Sequence, residues 1–188
     1  MNRFFRTKSL LAWANLVVLL ISVGFGAAAQ ASDRHAIDAR VNSALANFTH
    51  EVKGASGLLK SAKGVLVFAG VIKAGIGIGG EYGEGALRMN GKTAGYYNIA
   101  AASIGFQLGA QKKDVILLFM QDEALANFRN SDGWKVGVDG SVAVVKIGAG
   151  GEADTNTIKA PILAFIVGQK GLMYNLTLEG SKISRLER

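Results

Sequence analysis

Few residues in this chain have the type and spacing to do chemistry, and most of them crowd into one stretch. KAGIGIGGEYGEGAL, Lys73 to Leu87, places six glycines between Gly75 and Gly85. Gly75, Gly77 and Gly80 satisfy the G-x-G-x-x-G pattern of a dinucleotide-binding loop. Such a loop needs a strand before it, a helix after it, and an acid about twenty residues on for the ribose. VLVFAGVI supplies the strand. EYGEGALRMNGKTAGYY cannot supply the helix, because it is glycine-rich and lacks a helical apolar stripe, and residues 95–106 contain no acid. No phosphate loop of the G-x-x-x-x-G-K-[ST] type exists either, and Glu81 and Glu84 would repel phosphate. The sequence therefore predicts no nucleotide, no cofactor and no nucleic-acid partner. Glu81 and Glu84 have the types of an acid–base pair. Three residues apart on a strand they face opposite ways, and a solvated rim is the simpler expectation for both.

The rest of the inventory is thin. His35 and His50 are fifteen residues apart on one predicted helix, with no metal-ligand spacing, and are expected to be solvated. Ser103, Ser141 and Ser181 lack a G-x-S-x-G elbow. Asn47-Phe48-Thr49 and Asn175-Leu176-Thr177 match a glycosylation acceptor pattern but fall in predicted regular structure. There is no cysteine, so disulfides, thiol chemistry and cysteine-ligated metals are excluded. No catalytic residue and no metal site is predicted, and the chain is read as a non-enzyme.

The glycines have a second reading. Gly75, Gly77 and Gly79 alternate with Ile76, Ile78 and Gly80, which is strand spacing, so all three point to one face and leave it bare. Each costs a strand roughly 0.5–1 kcal/mol against alanine. A bare strip lets another backbone approach closely, or lets a sheet bend into a barrel-like curl. On this reading the glycines are architecture.

The elements around them are set by periodicity. Arg3, Arg6 and Lys8 precede an uncharged run, and Ala29-Gln30-Ala31 has the form of a signal-peptidase site. Residues 1–31 are expected to be a signal peptide and 32–188 the mature domain, an exported protein of the periplasm or exterior, peripheral to the membrane. A retained anchor is the alternative. The mature part holds 18 basic residues against 14 acidic ones, a mild surplus that fits weak attraction to anionic surfaces. Ile37, Val41, Leu45, Phe48 and Val52 make one face of an amphipathic helix, and GASGLLKSAKG a short broken helix and turn. From Val65 the period shortens: VLVFAGVI, GIGIGGEYGEGALRM, YYNIAAASIGFQLGA and DVILLFM read as short antiparallel strands. QDEALANFRN is a second helix, with acids first and Arg129 near its end. WKVGVDGSVAVVKIG, APILAFIVG and GLMYNLTLEG add strands, the last two joined near Gln169-Lys170. Pro161 opens a strand, where its missing N–H matters least. Trp134, Tyr96 and Tyr97 are expected in the core or an interface. The predicted fold is α+β, a single domain of mainly antiparallel, curled or barrel-like sheet.

With these segments identified, the chain resembles the SYLF-domain family. AKGVLVF, VIKAGIGIGGEYGEGAL, SIGFQLGAQKKDVILLFM, Ala126-Asn127-Phe128 and VGVDGSVAV carry the resemblance, and IKAPILAF and KGLMYNLTLEG resemble the family's closing strands. It spans about residues 36 to 183. The resemblance implies binding of phosphoinositide or other anionic lipid, and in yeast members of actin. Lys60, Lys63, Lys73, Lys112-Lys113 and Lys170 are read as lying at strand ends and turns. Lys63, Lys73 and Lys170 are the expected lipid contacts, converging on one rim. The alternatives are a structural or protein-partner role and a small-ligand carrier.

Overall fold

The computed structural model describes residues 33–187 apart from 148–149, 154–158, 172–177 and 179; within strands, the side chains of 76–77 and 103–108 are also outside the description. The predicted signal segment, Asn175 and the GLMYNLTLEG strand, save Gly171, Leu178 and Gly180, therefore lie outside the described residues, as does the side-chain position of Gly77. The unit Arg34–Arg188 is a single α+β domain with a mixed, curled half-barrel sheet, as expected.

The amphipathic face folds as read. Helix α1 (Arg34–Glu51) buries Ile37, Val41, Ala44 and Phe48, with Leu45 partly covered, because steps of three and four residues return to one side of a helix. His35 and His50 are exposed on its other side. A short helix α2 (Ala55–Ser61) comes next.

The segment after α2 departs from expectation. Four predicted short strands are two very long ones, β1 (Gly64–Met89) and β2 (Lys92–Phe119), paired antiparallel along nearly their whole length. They are joined at Asn90-Gly91, which have φ of 49° and 75°. Both central residues are left-handed, as a two-residue type I′ hairpin requires, and Asn-Gly is the dipeptide that best tolerates it. That signal stands in the sequence, where the denser glycines upstream mask it.

The glycines explain how a strand of 26 residues stays inside a small domain. A Cβ on Gly75 would strike Gly79, one on Gly83 would lie 2.7 Å from Val71, and one on Gly85 would strike the Val67 carbonyl oxygen. The positions pair off around residue 77, so β1 bends back there and its two limbs pack face to face. Glycine is needed where backbone meets backbone. The bare strip of the sequence reading is thus the inner face of the curl, extended to Gly83 and Gly85.

The remaining elements brace β2. Helix α3 (Asp122–Arg129) buries Leu125 and Phe128. β3 (Trp134–Lys135) and β4 (Val142–Val144) are short, and β5 (Ile162–Gly171) and β6 (Lys182–Leu186) pair antiparallel with the two halves of β2. The order is β3-β6-β2-β5-β4, with β1 on β2's other edge. β4 pairs β5 in parallel, an exception to the antiparallel expectation. β6 is absent from the sequence reading, because SKISRL has only weak alternation.

Two cores result, one on each side of the sheet. Leu66, Phe68, Val115, Leu117, Phe119, Phe128 and Trp134 fill the inside of the curl. Val65, Val67, Ile116, Leu118 and Phe165 pack under α1, where Phe48 meets Phe165 edge-on at 4.8 Å. Because both faces are covered, DVILLFM and ILAFIV read as continuous apolar runs without alternation. Trp134 and Tyr97 are core residues as expected.

Candidate functional site

The groove of interest opens where α1 crosses the proximal limb of the hairpin. Its volume is about 400 Å³, and Arg40, Ser43, Gly70, Ile72, Lys112 and Asp114 line it. Two bulges build its floor. β1 shifts register between Phe68 and Val71, and the β2–β5 pairing shifts between Lys112 and Asp114. Gly70 and Gly168, with φ of 73° and 62°, sit at these irregularities on either side of Asp114. The Gly70 N–H donates to Asp114 Oδ1 at 2.7 Å, so the bulge re-aims a backbone donor at the carboxylate. Burial raises the Asp114 carboxyl above its ordinary value. The Gly70 N–H and the Lys112 charge pull it down, Glu51 raises it further, and Lys170 lowers it.

Lys112 and Lys170 lie directly opposite each other on neighbouring strands, in register, and both are exposed. Like charges placed so are destabilising in a sheet. Among the described residues neither takes part in a salt bridge, and Asp114 is the acid nearest to hand. Arg40 adds a third cation, held at 4.0 Å from Glu84. The arrangement has the means to bind an anionic group by charge-assisted hydrogen bonds.

The three lysines expected to contact lipid are not brought together. Lys170 is exposed, on β5 rather than in a turn. Lys63 lies just before β1, ten residues from Lys73, and pairs with Asp122 at 3.5 Å. Lys73 is only 5 % exposed: beyond the Phe68–Val71 bulge the described odd positions of β1 face into the curl, and Lys73 is one of them. Lys63, Lys73 and Lys170 thus share no single rim, while Lys112 stands opposite Lys170 and lines the groove together with Arg40 from α1. Parity decides this, and parity is unreadable as long as Lys73 and Lys112-Lys113 are assigned to turns.

The same parity overturns the solvated rim at Glu81. Its side chain is 4 % exposed and meets the fully buried Lys113 Nζ at 3.0 Å. Glu81 Oε1 and both polar atoms of the Gln111 side chain are buried without a partner among the described residues. Glu84, facing the other way, accepts from the Tyr82 hydroxyl at 3.2 Å. A second polar cluster clasps α1 to the hairpin: Asp38 accepts from Thr93 at 2.9 Å and Tyr96 at 3.0 Å and pairs with Arg88 at 3.2 Å. Among the described residues no cluster of metal-ligand type occurs, and no helix is long and apolar enough to cross a membrane.

A curled sheet thus carries a helix across one face, and a groove lined by Arg40, Lys112 and Asp114 opens between them. The family model described as Ysc84, Las17-binding protein actin regulator, matches residues 100–187. The match bears out the SYLF-domain resemblance over residues 100–187. No curated protein matches the chain.

Proposed function

We propose that this is a non-enzymatic domain that binds the headgroups of anionic lipid at a membrane surface, as an exported protein. The observation that carries the reading is the opposed, exposed pair Lys112 and Lys170 beside the groove under α1. An anion placed between two like charges relieves a repulsion that the fold otherwise bears. Each lysine near an anionic bilayer contributes about 1 kcal/mol, which suits weak, reversible association. The contact is screened by salt, over about 8 Å at physiological ionic strength.

Co-sedimentation with phosphatidylglycerol-containing vesicles tests this. The Lys112→Glu/Lys170→Glu variant should lose most of its vesicle binding, and added salt should weaken the wild type, while the melting temperature stays near that of the wild type. Equal binding by the variant, or indifference of the wild type to anionic lipid, refutes the proposal. The description of the matched family favours a second reading, a protein partner on the same surface. A pull-down with a purified partner in the absence of lipid separates the two.

A further inference from the structure

The curl exposes apolar side chains that its inner face has no use for. Beyond the Phe68–Val71 bulge of β1, Ile72, Ile78 and Tyr82 face outward: they are 56 %, 73 % and 49 % exposed, with exposed Ala74 and Gly80 between them. Their partners across the ladder continue the pattern. Ala74 opposes Ala110, Gly80 opposes Ala102, and Tyr82 opposes Ala100. The sequence carries no charge from Ala74 to Gly80 or from Ile99 to Gln111. Two adjoining strand segments without a charge, with Ile78 shown to solvent, are unusual for a surface that stays in water.

The patch has cations at one end. Ile72 lies opposite Lys112, and Lys112 lies opposite Lys170, so apolar and cationic residues share one row of the sheet. Ile72 also lines the groove under α1, which makes the patch continuous with the proposed headgroup site. Its far end stops at Glu84, whose side chain is 11 % exposed and lies against Arg40.

We infer that the outer face of the curled hairpin, Ile72, Ile78 and Tyr82, embeds in the interfacial layer of an anionic bilayer while Lys112 and Lys170 meet the headgroups. The inference rests on the lipid-binding reading and adds where, and how deep, the protein enters. Side chains that insert gain by leaving water, while the lysines remain at headgroup level on their flexible stems. The wedge is the bend around residue 77, where the limbs of β1 turn back.

The test uses the full chain with vesicles of phosphatidylcholine and phosphatidylglycerol. Ile78→Trp should be quenched by lipids brominated near the headgroup, beyond the quenching of the wild-type tryptophans. Ile78→Asp should lower vesicle partitioning about tenfold, the size expected for one isoleucine kept out of an apolar layer. Val138→Asp, an equally exposed apolar residue (72 %) on the turn after β3, should bind as the wild type does. If the wild type binds vesicles but the tryptophan is unquenched and Ile78→Asp binds normally, insertion is refuted and headgroup docking stands. If the wild type binds no vesicles, both readings fall. If Ile78→Asp instead converts a self-associated protein to monomer without changing vesicle binding, a second copy covers this face and the inference is overturned.

Discussion

Replacing Glu81 by Gln removes the carboxylate that faces Lys113 inside the curl. Lys113 Nζ, on a fully buried side chain, sits 3.0 Å from Glu81 Oε2. At an effective dielectric of about 20, unit charges at that distance attract by about 5.5 kcal/mol. Desolvation of the two ions costs several kcal/mol each and offsets most of that, so the intact pair adds little net stability. The cost of breaking it is another matter, because the surviving ion stays buried without its partner. That cost is about 3–5 kcal/mol. Glu81→Gln therefore leaves the buried Lys113 ammonium without its carboxylate, and Lys113→Met leaves the buried Glu81 carboxylate without its ammonium. Both should be damaging on this scale. For a domain of this size each kcal/mol shifts the midpoint by about 2–4 °C, so Glu81→Gln should melt roughly 6–20 °C below the wild type. The Glu81→Leu/Lys113→Met double variant should recover most of the loss, since an apolar pair of similar volume has no charge to strand. Thermal unfolding measured by circular dichroism, with the double-mutant cycle completed, reads all three. A Glu81→Gln protein melting within about 2 °C of the wild type would show that the pair is solvated and that β1 does not curl as described.

The backbone and Asp114 give two further expected outcomes. Gly85→Ala places a methyl against the Val67 carbonyl and should destabilise by about 1–3 kcal/mol as the limbs are forced apart, whereas Gly80→Ala, whose nearest neighbour would be Ala101 O at 3.9 Å, should melt with the wild type; equal melting of both would remove the close-packing role of the glycines. Burial raises the folded-state value of Asp114 above that of the unfolded chain, so the folded protein binds this proton more tightly. Stability from this group is then present below the unfolded value, near pH ~4, and is lost as pH rises through the raised one. Asp114→Asn keeps an acceptor for the Gly70 N–H without the charge. It should be at least as stable as the wild type at neutral pH, should lose this advantage as pH falls towards about 4, and should bind anionic vesicles more tightly; a melting difference independent of pH would refute the assignment.

Much of this protein is legible along the chain because it depends on local pattern. Helix α1 is set by apolar residues at steps of three and four, and α3 by its acidic start and basic end. The missing helix and the missing acid after Gly80 deny the glycine segment a nucleotide role, and its period of two gives it a bending role. Strand continuity lies beyond local pattern: VLVFAGVI, GIGIGGEYGEGALRM and their partners are one hairpin, because a bulge and a bend interrupt the pattern without ending the strand. Side-chain facing is lost with it. Lys73, Glu81 and Lys113 are charged, and charge alone predicts solvent; only the folding of β1 onto itself turns their side of the strand into an interior. Lys112 and Lys170 lie 58 residues apart in sequence, and nothing local says that they oppose each other. The residue types and periods determined which segments form elements and which faces are apolar. The pairing of distant strands, and the bend that makes one face an inside, decided which lysines meet solvent, because exposure depends on what else in the chain packs there.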